Sequence, residues 1–62
     1  MQYKILVSDD YLIDSFYVEN KAQAELLFNM AVESKMFTYV QLTEIREESF
    51  VKKEWAEGDD ER

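Results

Sequence analysis

The side chains able to do chemistry in this chain are carboxylates, aromatic rings and a few cations. Histidine and cysteine are both absent. Without them there is no Ser-His or Cys-His nucleophile pair, no imidazole base near neutral pH and none of the usual zinc ligand sets. Gly58 is the single glycine, so a glycine loop that cradles phosphate is excluded as well. Asp9, Asp10 and Asp14 lie close together, and a carboxylate trio can take a divalent cation. Their spacing lacks the glycine and the closing glutamate of a calcium loop, so a solvated turn is the reading adopted and no metal is expected. Paired carboxylates also serve acid–base catalysis, but nothing in the pattern promises a pocket that would drive their pKa values apart. A non-enzymatic protein without a cofactor is expected.

Binding chemistry is better represented. Tyr11, Tyr17, Tyr39 and Trp55 are candidates to stack on a base, and Lys4, Arg46 and Lys52 are candidates to contact phosphate. The chain carries 14 acids against 7 bases, a formal charge of −7. That balance repels long nucleic acids and anionic membranes through the field of the whole molecule. A mono- or dinucleotide, with one or two phosphates, is within reach of two cations and some rings. The acidic surface has a reading of its own. Glu44, Glu47, Glu48, Glu54 and Glu57, with the C-terminal acids, could imitate the phosphates of DNA or fill a basic groove on a host protein.

The elements that must position these residues follow from periodicity and turn chemistry. Residues 2–8 read as a strand, Asp9-Asp10 as a break and 11–18 as a second strand. A short turn there pairs Val7 with Leu12, Ile5 with Asp14 and Tyr3 with Phe16. Asn20 is a candidate N-cap for a helix that runs to Ser34 or Lys35, about four turns. Ala24, Leu27, Phe28, Ala31 and Val32 form its apolar stripe, and Leu26 and Met30 widen it. Residues 37–46 return to strand character, Glu47-Glu48-Ser49 make a turn, and 50–55 complete a second hairpin, with a short helix as the alternative for that last piece. The fold class is α+β: ββαββ, a four-stranded antiparallel sheet with one helix on one face. Residues 1–56 form a single domain, followed by an acidic, flexible tail at 57–62.

One helix covers one face. With two-residue turns it meets Tyr3, Ile5, Val7, Leu12, Phe16, Val40, Leu42, Val51 and Trp55. The other face keeps Leu6, Tyr11, Ile13, Tyr17, Tyr39, Ile45 and Phe50, too much apolar surface to leave wet. A chain of 62 residues folds marginally alone, and without cysteines or a metal what remains is a partner subunit or an unusually efficient core. The surplus of the open face favours the partner, and a homo-oligomer is expected with Leu26, Met30, Ile13, Ile45 and Phe50 at its interface. No apolar run approaches a membrane span. The stretch from Met1 to Ile5 does not read as a signal peptide. A cytoplasmic protein is expected.

The order of residue types resembles the small ββαββ proteins of bacteriophages. The pattern is carried by Tyr3-Lys4-Ile5-Leu6-Val7, Ile13-Asp14-Ser15-Phe16-Tyr17, Glu19 to Ala24, Tyr39 to Arg46 and Phe50 to Trp55. The resemblance is one of pattern and carries no diagnostic motif. It implies action by binding, including inhibition of bacterial immunity. One such group forms oligomeric sponges that sequester cyclic nucleotide signals, such as those of CBASS defence. The expected function is thus a counter-defence protein of phage type that holds a small cyclic nucleotide between subunits of a homo-oligomer. An acidic inhibitor or DNA mimic that blocks a host protein is the alternative.

Overall fold

A computed structural model describes residues 2–57 and has the expected order: β1 (Gln2–Ser8), β2 (Ile13–Val18), α1 (Lys21–Ser34), β3 (Tyr39–Ile45) and β4 (Ser49–Ala56). The strands form one antiparallel sheet in the order β2-β1-β3-β4. The two central strands, β1 and β3, are the first strands of the two hairpins, so each hairpin has one inner and one edge strand. The helix lies over β1 and β3, reaches β2 less and β4 least. Beneath it Tyr3, Ile5, Val7, Val40 and Leu42 of the sheet meet Ala24 and Phe28. Ile5 and Val40 are fully enclosed. Val18, Leu27, Ala31, Val32, Phe37 and Trp55 close the rim of this core.

The helix starts where Asn20, in extended conformation, accepts a hydrogen bond from the Gln23 amide at 3.0 Å. It stops at Lys35, which adopts the left-handed region at φ 60°. No glycine is at hand to do this without steric cost. Charges run against the helix dipole. The first turn has no acid and the last turn no base, Lys21 stands at the positive end and Glu33 at the negative one.

Two register expectations are corrected. The first hairpin pairs Val7 with Asp14, Ile5 with Phe16 and Tyr3 with Val18, two residues away from the expected pairing. The cause is Asp9. Its carboxylate accepts from the amides of Tyr11 and Leu12, both at 2.8 Å, and its own amide donates to the Leu12 carbonyl. Tyr11 and Leu12 are thereby held in the turn, and Leu12, 56 % exposed, leaves the helix-covered face. A shift of two preserves which face each strand residue occupies, so Phe16 stays on the helix side and Ile13 and Tyr17 on the other. In the second hairpin Leu42 faces Lys53 but Thr43 faces Val51, with an irregularity between them that leaves Lys52 without a partner. This extra residue reverses the alternation. Phe50 moves to the helix side opposite Glu44, and Val51 to the open face. The turn there is Arg46-Glu47-Glu48, closed by the Arg46 amide donating to the Glu48 carbonyl at 2.9 Å, one residue earlier than expected.

Of the acidic tail, Glu57 donates its amide to the Thr38 carbonyl at 2.9 Å. The remainder, 58–62, lies outside the described residues. Among the described residues no helix is long and apolar enough to cross a membrane.

Candidate functional site

Sheet order and bulge together gather cations at one corner of the molecule. Lys21 opens the helix, Arg46 opens the β3–β4 turn, and Lys52 and Lys53 sit at and beside the bulge. With Tyr3, Glu25, Leu42 and Glu44 they line a concavity of about 280 Å³ between the helix N-terminus and the second hairpin. Four of the seven cations of an acidic chain thus border one groove, against two carboxylates. The groove continues into a depression of about 350 Å³ bounded by Glu44, Arg46, Phe50, Val51 and Lys52. A further one of about 370 Å³ is bounded by Arg46, Glu47, Glu48 and Phe50. Arg46 belongs to all three.

Glu44 organises the corner. It lies on the helix-covered face opposite Tyr3 and is only 7 % exposed. A carboxylate so enclosed requires partners. Arg46 Nη2 stands 3.2 Å and Lys52 Nζ 3.9 Å from Glu44 Oε1, while the Tyr3 hydroxyl donates to Oε2 over a long 3.4 Å. Both cations remain about half exposed, so their outer donors can meet a second anion. Lys53 places its ammonium 5.7 Å from the centre of the Phe28 ring, a cation–π distance that holds its charge over the groove.

The open face is divided. On its β3–β4 side Thr43 donates to Gln41 Oε1 at 3.0 Å, Gln41 Nε2 donates to the Tyr39 hydroxyl at 2.8 Å, and Tyr39 donates to Glu54 Oε2 at 3.1 Å. Burial raises the Tyr39 pKa, and the hydrogen bond and charge of Glu54 raise it further, while the Gln41 donor opposes them. The β1–β2 side holds Leu6, Ile13 and Tyr17, the last beside Lys4.

The sequence-predicted contact residues do not form one cluster. Arg46 and Lys52 meet in the groove. Lys4 and Tyr17 are neighbours on the open face, and Tyr39 lies on that face four positions further along, beside Ser8. Tyr11 is 97 % exposed in the first turn, and Trp55 packs against the core on the helix side. Of the expected interface residues, Ile13 lies on the edge strand β2, and Leu26 and Met30 are exposed on the helix. Ile45 is on the open face, while Phe50, 45 % exposed, is a groove wall. Lys21 and Lys53 were missed. Lys21 had a readable signal, a base at a helix start where acids are favoured. Lys53 had one too, since alternation from Trp55 puts it on the helix side.

The three aspartates build no metal site. Asp9 is engaged by two amides of its turn and Asp14 accepts from the Ser15 amide at 2.8 Å. Among the described residues no group of three acids is placed to hold an ion. No family model matches the sequence, and no curated protein or solved structure matches it either.

Proposed function

We propose that the protein is a non-enzymatic, oligomeric binding protein that sequesters a small phosphate-bearing ligand of the nucleotide class. The observation that carries this reading is the convergence of Lys21, Arg46, Lys52 and Lys53 on one groove of a chain whose net charge is −7. A phosphate there meets charge-assisted donors near the positive end of a helix dipole. A base extending toward the β3–β4 turn meets the exposed ring of Phe50. Glu47 and Glu48 at the far end repel a second phosphate group, which favours the Lys21 side for it. The groove lies within one chain, so each copy carries a full site. Sequestration needs affinity and abundance only, and the phage counter-defence role suggested by the residue pattern is of that kind.

Native mass spectrometry of the protein with mononucleotides and cyclic di- and oligonucleotides tests the reading. Whole-number addition of one nucleotide per chain is expected. Arg46→Ala should weaken that binding by about tenfold or more, the worth of one charge-assisted hydrogen bond. Binding of none of the panel, or binding unchanged in Arg46→Ala and Lys52→Ala, overturns it.

A further inference from the structure

The two edges of the sheet are built differently, and the difference points to a second copy of this chain at β2. Edge strands expose unpaired backbone groups, and proteins that stay single blunt them with lysines, bulges or proline. β4 has such protection: Lys52, Lys53, Glu54 and the bulge at Lys52. β2, Ile13–Val18, has no lysine, no proline and no bulge, and Asp14 is its one charged residue. Its side chains remain open as well, with Ile13 at 73 %, Phe16 at 40 % and Tyr17 at 55 % exposure. Met30 and Leu26, both more than half exposed, lie roughly opposite the buried Ala24 and Phe28 on the helix, so they face away from the sheet and the edge of β2 stands on its own residues.

We infer that two copies pair antiparallel through β2 into one eight-stranded sheet. The ladder's alternation supports this. Asp9 donates to Leu12, so Asp14, Phe16 and Val18 direct their amides to β1, and Ile13, Ser15 and Tyr17 direct theirs outward. The outward Ser15 amide is consistent with this, since it donates to its neighbour Asp14 and not to β1. A two-fold axis at Ser15 places Ile13 opposite Tyr17 of the second copy and gives their outward amides acceptors, while the Ser15 amide exchanges its Asp14 acceptor for the facing Ser15 carbonyl. The same axis keeps the two Asp14 carboxylates out of direct opposition. For chains that repel each other, this weakly charged edge is the place of approach. The inference supplies the interface of the oligomer proposed above and rests on that reading only for the oligomer's existence.

Sedimentation of the full chain from micromolar to millimolar concentration tests it, with hydrogen exchange at the Ile13 and Tyr17 amides. A dimer should form as concentration rises, and those two amides should become protected with it. Ser15→Pro removes an outward donor that β1 does not use, and Ile13→Asp adds charge to the edge. Each should abolish the dimer while far-UV circular dichroism retains the folded spectrum. Arg46→Ala should keep the dimer and lose nucleotide, so the two readings fail separately. A monomer at every concentration overturns the inference. So does a dimer that survives both edge variants, which would assign the contact to the open face instead.

Discussion

Glu44 shows how one enclosed carboxylate shapes a binding corner. It holds Arg46 and Lys52 in place, yet it also competes with any incoming anion for them. Glu44→Gln keeps the side chain's shape and an acceptor for Tyr3 while removing that competition. Phosphate-ligand affinity should therefore rise, as titration calorimetry would show. Stability should change by less than about 1 kcal/mol, because both released cations are half exposed and stay hydrated. Weaker binding in Glu44→Gln would mean that ordering the cations matters more than their free charge. Tyr39 gives a second prediction of this kind. Its raised pKa means that the folded state keeps the phenol proton which an unfolded chain releases near pH 10. Stability is therefore undiminished below pH 10 and falls as pH rises toward and through the folded value. Urea midpoints measured against pH should show this alkaline fall, and Tyr39→Phe should flatten it.

The helix is the element most open to adjustment. Asn20→Ala removes the acceptor for the Gln23 amide and should cost about 1 kcal/mol in chemical unfolding. Lys35→Gly relieves a side chain from φ 60° and should add about 1 kcal/mol. Lys21→Glu matches the helix dipole and should stabilise by about 0.3–1 kcal/mol while weakening phosphate binding. A residue kept against local stability is what a binding site produces. These helix features were readable in advance, because a cap and a 3.6-residue stripe are local signals. The strand faces of the first hairpin were readable too, since an error of two residues leaves alternation intact. The second hairpin was not. Its bulge, opposite the Leu42–Thr43 step, turned Phe50 and Val51 over while Lys53 kept its phase with Trp55. The groove inherited that difficulty: Arg46 and Lys52 were named from their type, but their company could be known only from the register.

Across the whole molecule, charge gives opposite signs to the two proposed associations. Two copies at −7 repel, so added salt should tighten pairing through β2 as the repulsion is screened. Phosphate held by exposed cations should instead be loosened by the same salt. Sedimentation and nucleotide titration over one salt series would read both slopes. Slopes of the same sign would contradict this assignment of forces.

The strand order has a further consequence. The groove lies on the β4 side of the sheet, and the proposed seam is at β2. In a paired sheet the two grooves would sit at its outer ends, about 34 Å apart at the usual strand spacing, several screening lengths in physiological salt. Occupying one leaves the other unaware. Such a molecule fills hyperbolically and without threshold. It would lower the free concentration of its ligand at every dose, as a buffer does, and would not respond like a switch.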